Sequence, residues 1–381
     1  MKIGLLGHGV VGSGVTKITD SCSNRKVRRL EVARILVKDE WEMTDPRCTR
    51  NIEDILSDPE IEIVAECMGG IEPAHTFVAR ALESGKHVVT SNKKMFAEKA
   101  EELLALAKEN SVSIRYEAAC GGGIPWMANL ERTGRLEPVT GFCGIFNGTT
   151  NYIISRMEDT GTSFEDNLAE AQSLGYAERD PSDDIDGHDV CYKTILSALK
   201  AFHMYARPSD LAVYGIRTIS QEDFAWAKQN HRAIRLFGNG VLRKESAELW
   251  VMPVMVSEQE VFANIRSNFN ALQSESKTLG KAVYVGQGAG SLPTAHAVVQ
   301  DLLDIYEGVE TTDTELKRIP TDNGQSVMQF YVRTASPEYF AAVSAQQEGN
   351  VVLTKEISMA EMDSLLKGCG DETVFAAVVM K

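Results

Sequence analysis

From Lys2 to Glu117 the apolar positions follow two alternating rhythms. Short, nearly unbroken apolar runs read as strands: "KIGLL" (2–6), "EVARILVK" (31–38), "IEIVAEC" (61–67), "HVVTS" (87–91) and "VSIRYE" (112–117). Between them lie segments whose apolar residues recur at spacings of three and four. "PAHTFVARALESG" (73–85), closed by a glycine, and "KMFAEKAEELLALAKEN" (94–110) therefore read as helices. Buried strands alternating with helices predict a parallel sheet covered on both faces.

From about residue 130 the rhythm changes. "VTGFCGIF" (139–146), "ELWVMPVMV" (248–256) and "KAVYVGQG" (281–288) read as strands of a second sheet. "HDVCYKTILSALKAFHMYA" (188–206) and "PTAHAVVQDLLDIY" (293–306) read as helices. A polar linker over 312–325 precedes a pattern of the form β-α-β-α-β: strands at 326–333, 350–357 and 373–380, helices at 337–347 and 359–368. A chain of 381 residues is too long for one ordinary domain. The expected division is a nucleotide-binding domain over 1–130, to which the helix 293–308 returns. An α+β domain follows over 131–292, and a small α+β unit over 312–381.

Composition narrows the function. Hydrophobic residues make up 43% of the chain and charged ones 24%, which is globular, and the net charge is −15. That sign argues against a nucleic-acid groove or an anionic membrane surface as partner. The seven cysteines are scattered and none forms a CxxC pair, so neither zinc nor a disulfide framework is indicated, and a reducing cytoplasm is the natural setting. The apolar start could be misread as a signal peptide, but His8 interrupts it. No run reaches the length of a membrane span.

The glycines of that start have a better explanation. Gly7-His8-Gly9-Val10-Val11-Gly12 follows a strand and opens a helix, the setting that a dinucleotide fingerprint requires. The glycines permit a tight turn and a close approach of backbone to pyrophosphate, which the helix N-terminus stabilises. The fold class expected is α/β, a Rossmann-type doubly wound parallel sheet joined to α+β parts. At the end of the second strand Lys38 precedes Asp39 and Glu40. A lysine there suits a 2′-phosphate and favours NADP, with NAD the alternative; the competing reading is an ordinary solvated strand end.

"AERDPSDDIDGHDVCYK" (177–193) places Asp180, Asp183, Asp184, Asp186 and Asp189 within ten positions. A calcium loop is one reading. It fails because Lys193 falls where the bidentate glutamate belongs when Gly187 takes the sixth position. A solvated acidic loop is a second, but it leaves Lys193 unexplained. Between Val190 and Phe202 only Lys193 and Lys200 are charged, so much of this helix must be buried. Asp189 and Lys193 are four apart and share a face. A carboxylate and a lysine held together in a buried segment are more typical of an active site than of a surface.

At these residues the sequence resembles the homoserine dehydrogenases. Their signature reads alanine, three residues, Gly-Tyr, then Asp-Pro, Asp-aliphatic, Gly-x-Asp and a lysine four later. Here it is the unbroken "AQSLGYAERDPSDDIDGHDVCYK" (171–193). The resemblance covers about residues 1–308 and includes "GLLGHGVVGSGV", "ECMGGIEPA", "TSNKK", "YEAACGGGIP", "FNGTTNYI" and "GQGAGSLPTAHAVVQDLLD". It implies an NAD(P)H-dependent reduction of L-aspartate 4-semialdehyde to L-homoserine. It implies Lys193 as proton donor, Asp189 as its partner and Lys93 as a second active-site lysine. Glu178 and Asp184 would bind the substrate ammonium, and Gly175 and Tyr176 would line the pocket. Ser91, Lys93 and Gly288 would join Gly7, Gly9, Val10, Val11, Gly12 and Lys38 at the cofactor. Glu117, Cys120, Gly122 and Ile124 would offer mainly backbone oxygens to a sodium ion. A homodimer or higher homo-oligomer is implied too, with residues 131–292 as the substrate and dimerisation domain.

The chain departs from the family pattern at His8, at Trp126, where an aliphatic residue is usual, and at His188, where an apolar one is. Trp126 reads most simply as core packing. The C-terminal segment resembles an ACT domain, one strand short and without its glycine-containing turn, which leaves a structural role and feedback control both open. Two further readings compete. One is a related oxidoreductase acting on another amino-acid aldehyde or alcohol; the other is a nucleotide sensor without turnover, which would not need Lys193, Asp189 and Glu178.

Overall fold

The computed structural model describes residues 1–311 and 316–380. The chain forms two compact units. The first comprises Met1–Leu136, Leu196–Tyr205 and Gln287–Arg318. Its strands are β1 (Lys2–Leu6), β2 (Glu31–Leu36), β3 (Cys48–Thr49), β4 (Ile61–Glu66), β5 (His87–Thr90) and β6 (Ile114–Arg115). They pair in the order β3-β2-β1-β4-β5-β6, every neighbour parallel. This is the doubly wound order, and the chain changes direction across the sheet between β1 and β4, where such folds bind dinucleotides. The apolar runs exist because both sheet faces are covered: Ile3, Leu5, Ile63, Val64, Val88 and Val89 are all fully buried. The helices Val10–Ser21 and Ser291–Tyr306 pack so closely that a Cβ on Gly14 would lie 2.8 Å from the Cβ of Ala295. The expected strand 112–117 shortens to β6, because the chain turns at Glu117–Ala119.

The second unit comprises Glu137–Ile195, Ala206–Gly286 and the chain from Ile319 onward. It is built on β7 (Val139–Ile145), β8 (Ala212–Val213), β9 (Arg232–Leu242), β10 (Ala247–Ser257), β11 (Phe269–Ser276), β12 (Gly280–Gln287), β13 (Val327–Arg333), β14 (Ser344–Glu348), β15 (Val351–Thr354), β16 (Ile357–Ser358) and β17 (Phe375–Val379). They form one sheet ordered β12-β11-β7-β9-β10-β17-β13-β15-β14, with β8 beside β10 and β16 beside β13.

Two expectations about the C-terminal segment are corrected. The helix expected over 337–347 is a short turn, Pro337–Phe340, followed by strand β14. Pairing of β14 with β15 around Gly349 overrides local helix propensity. Nor does the segment form a compact unit of its own. β17 pairs in parallel with β10, Val254 opposite Val378, and β13 pairs with β17. Phe330, Val332, Phe340, Val352 and Val378 share one core cluster with Phe237, Trp250, Met252 and Val254. The expected boundary at residue 312 lies outside the described residues. A buried ion pair adds to the join. Asp223 accepts from the Tyr331 hydroxyl and from Nε of Arg333, both at 2.9 Å.

Candidate active site

In the second unit the acidic stretch divides into separate roles. Asp180 caps Ser182, accepting from its N–H at 3.2 Å and its hydroxyl at 2.7 Å. Asp186 accepts two bonds from Arg217, both 2.7 Å. Asp183 is exposed. Asp184 and Asp189 turn to one residue, Asn147, whose Nδ2 donates to Asp184 Oδ1 at 2.6 Å and to Asp189 Oδ2 at 2.7 Å. Among the described residues no group of three His, Cys, Asp or Glu could hold a metal ion.

Lys193 completes the network. Its Nζ donates to Asp189 Oδ2 and to the carbonyl of Phe146, each at 2.7 Å. Both partners of the pair are buried, Lys193 8% and Asp189 4% exposed. They stand one turn apart at the start of the helix His188–Phe202. A buried ammonium and carboxylate need this many bonds, since an unpaired buried charge is costly. Asn147 is itself held in place by a helix cap. Its Oδ1 accepts from the N–H of Thr150, at the head of the helix Gly148–Thr160. Asn270 donates to the same Phe146 carbonyl at 2.9 Å.

Glu178, Gly175 and Tyr176 lie at the exposed edge of this region. Gly175 ends the helix Phe164–Ser173 at φ 74°, a left-handed conformation that suits glycine. The Tyr176 ring leans on Tyr152, centroids 5.0 Å apart, and its carbonyl accepts from Thr149 at 2.6 Å.

In the first unit the glycine loop joins β1 to the helix Val10–Ser21. Gly7 sits at φ 91°, where a Cβ would lie 2.9 Å from the Cys67 carbonyl oxygen. A Cβ on Gly12 would lie 2.1 Å from the Gly7 carbonyl oxygen, whereas one on Gly9 would meet nothing within 4 Å. The first glycine thus makes the turn, the third allows strand and helix to close, and the second leaves an open flank for a ligand's phosphates. Val10 is exposed and Val11 partly so. The His8 ring lies 3.2 Å from the Thr16 hydroxyl. Lys38 is exposed at the exit of β2, and Glu42 accepts from the backbone N–H groups of Lys38 and Asp39.

Ser91 and Lys93 follow β5. Ser91 donates its N–H to the Glu66 carbonyl at 3.0 Å, and Lys93 opens the helix Lys93–Glu109, capped by Asn92. Gly122 meets Gly288 so closely that a Cβ there would lie 2.5 Å from the Gly288 carbonyl carbon. The Glu117 carboxylate is buried and caps the helix Trp126–Gly134, accepting from Met127 at 3.0 Å and Ala128 at 2.7 Å. Burial raises its pKa to about 7. With that side chain engaged by two N–H groups, a cation at Glu117, Cys120, Gly122 and Ile124 would rely mainly on backbone oxygens, and those of Glu117 and Ile124 already accept from Cys120 and Trp126. Trp126 is fully buried and donates Nε1–H to Ser197 Oγ at 2.9 Å, a core role with one polar tie.

Residues 7–117 match the model of the homoserine dehydrogenase NAD-binding domain, and residues 125–303 match that of homoserine dehydrogenase. A homoserine dehydrogenase of Bacillus subtilis is 35% identical, over 81% of this chain and 73% of the relative. The chain belongs to the homoserine dehydrogenase family. A homoserine dehydrogenase of Neisseria gonorrhoeae is 33% identical across 100% of this chain and 91% of its own. The crystal structure of a homoserine dehydrogenase from Thiobacillus denitrificans superimposes with a TM-score of 0.90 at 29% identity, covering 100% of this chain and 98% of the other. The activity is therefore the NAD(P)-dependent interconversion of L-aspartate 4-semialdehyde and L-homoserine, a step of amino-acid biosynthesis. Among the described residues no helix is long and apolar enough to cross a membrane.

Sequence reasoning gave no role to Asn147, the residue that joins Asp184 to Asp189. Its signal was present in "FNGTT", an asparagine between a strand and a helix, which reads as a cap. What no spacing conveys is that the same amide also serves two aspartates 37 and 42 positions away.

Proposed function

We propose that Lys193 is the proton donor of the reduction and that Asp189 and Asn147 hold it in place. The observation that carries this reading is the chain Lys193–Asp189–Asn147–Asp184, buried as far as Asn147 and half-buried at Asp184, each link between 2.6 and 2.7 Å. The nicotinamide ring, when bound, supplies the hydride. The Lys193 ammonium gives the carbonyl oxygen its proton, directly or through one water. In the reverse direction the neutral amine takes the hydroxyl proton. Asp189 and the Phe146 carbonyl orient Nζ, and Asn147 fixes the Asp189 carboxylate. Asp184 and the exposed Glu178 supply carboxylates for the substrate ammonium, with Gly175 and Tyr176 beside them. Lys93 acts as a second lysine at the reacting end.

The open flank of Gly9 supports a cofactor pyrophosphate on Gly7 to Gly12, with Ser91 and Gly288 as further contacts. Exposed Lys38 supports NADP over NAD. Sodium at Glu117, Cys120, Gly122 and Ile124 would be held mainly by carbonyl oxygens, and activity titrated in sodium against potassium salt tests it. A homodimer is supported by exposed apolar residues at β11 and β12, Phe269, Leu279 and Val285; size-exclusion chromatography with light scattering tests that. The decisive experiment for the site is a homoserine oxidation assay with NAD and NADP in parallel on the wild type and Lys193→Ala. Undiminished turnover in the variant at saturating substrate would remove Lys193 from the role.

A further inference from the structure

The edge of the first unit holds a buried carboxyl group that the reaction scheme does not use. Glu66 is the last residue of β4, opposite Leu6 on β1 and Thr90 on β5. It is fully buried. A buried carboxyl is expensive unless its hydrogen bonds are met. Here they are met by neutral groups at the end of β5 and on the loops after β4 and β5. The carboxyl group accepts from the Met68 N–H at 2.7 Å, on the loop after β4. It accepts from the hydroxyl of Thr90, the last residue of β5, and from Asn92 Nδ2 on the loop after it, the latter at 3.5 Å. Its backbone carbonyl accepts from the Ser91 N–H at 3.0 Å and the Ser91 hydroxyl at 3.4 Å.

Asn92 extends the clamp. Its Nδ2 donates to the Gly70 carbonyl at 2.7 Å, and its Oδ1 accepts from Met95 at the head of the helix that Lys93 opens. The side chain of Asn92, between Ser91 and Lys93, therefore ties the turn after β4 to the head of this helix. A core-filling role alone would call for an apolar residue at this strand end, as at Leu6 on β1. We propose that Glu66 is a positioning residue of the cofactor edge, holding Ser91 and Lys93 in register with the turn Met68–Gly70. This rests on the reading of that edge as the nicotinamide cofactor site.

Protonation gives the clamp a second property. Burial raises the Glu66 pKa to about 7, against the pull of the Thr90, Met68 and Asn92 bonds. Near neutral pH the group therefore moves between a carboxylate, which accepts every one of these bonds, and an acid that must itself donate once. On the loops after β1, β4 and β5 and the first turn of the helix that follows, the titratable or charged residues are His8, Cys67, Glu72, Lys93 and Lys94; the paired strands add Lys2, Glu62 and His87 nearer their other ends. The Cys67 thiol is pushed up by its burial and by the Glu66 charge, so it stays neutral in this range.

The test compares Glu66→Gln, Glu66→Ala and Thr90→Val with the wild type for cofactor KM, kcat, melting temperature and the pH profile of cofactor KM. Glu66→Ala should raise the cofactor KM about ten-fold or more, the scale of a lost hydrogen bond to a charged group. The wild type should show a break in cofactor KM near neutral pH, and Glu66→Gln should recover most of the Glu66→Ala loss while abolishing the break. If Glu66→Ala does not fold, Glu66→Gln and Thr90→Val still report the profile. A Glu66→Gln enzyme with wild-type KM and an unchanged break near neutral pH would overturn the inference. Beside a wild type that turns over normally, that result sinks the clamp alone. A wild type that binds neither NAD nor NADP sinks the cofactor reading, and the clamp with it.

Discussion

The two units build their candidate sites from different materials. At the glycine loop the working parts are backbone: a turn at Gly7, an open flank at Gly9 and a close approach at Gly12. Around Lys193 they are mainly side chains from three segments, Asn147, Asp184 and the helix His188–Phe202, with one backbone carbonyl, that of Phe146. A backbone site is indifferent to most side chains but intolerant of any Cβ at its contact glycines. A side-chain network tolerates none of its members being shortened, because each loss leaves a buried polar group without its partner. The first kind holds a common ligand by shape; the second assembles the chemistry particular to one substrate.

That contrast can be broken at several points. The largest effect should come from ending the chain after Arg318. β10 would lose β17, and Met252 and Val254 would lose the apolar partners that complete their core cluster. The shortened chain should be insoluble or molten, read by expression and near-ultraviolet circular dichroism. A soluble, active product would mean that the second sheet closes without β13 to β17.

Lys193→Ala comes next. Turnover should fall by about two to four orders of magnitude, the usual scale of a general acid, with cofactor affinity little changed. Asn147→Ala should follow it more weakly, since the donor remains but the Asp189 carboxylate loses the bond from Asn147. A cofactor KM shifted as much as kcat by either variant would mean that the side-chain site is not separable from the cofactor site. Gly12→Ala should do the converse: cofactor affinity falls about ten-fold or more, on the scale of at least 1.4 kcal/mol, because the new Cβ is driven into the Gly7 carbonyl. Isothermal titration with NADPH checks this.

Stability should carry a pH signature of the first unit. Glu66 has a raised pKa in the fold, about 7 against an ordinary 4.5. Its contribution is therefore fully present below pH 4.5 and is lost as the pH rises through about 7. Glu66→Gln should flatten that part of the melting-temperature profile; an unchanged slope would mean that other groups produce it. The smallest effect is expected from Lys38→Glu, which should weaken NADPH binding more than NADH binding by setting like charge against a 2′-phosphate. Equal losses would place Lys38 away from that phosphate.

The first sheet was legible because its strands are buried on both faces, so their sequences are nearly continuous apolar runs that need no partner to be recognised. The C-terminal segment was misread for the opposite reason. "SAQQE" (344–348) is mostly exposed and has no pattern of its own; pairing with β15 makes it a strand. Glu66 shows the limit from another side. A glutamate ending an apolar strand reads as a solvated end, and only the closure of two loops over it makes it buried.

By itself the sequence determined the parallel nucleotide-binding architecture, the glycine turn and the facing of Asp189 and Lys193, since each depends on spacing within a few residues. It also carried the family membership, through a 23-residue signature that does not depend on any contact. Only the tertiary structure decided which of five aspartates turn inward, that Asn147 joins two of them, and that the last strands belong to the second sheet. Those outcomes depend on residues far apart in the chain, and a hydrogen bond between positions 147 and 189 leaves no periodicity to read.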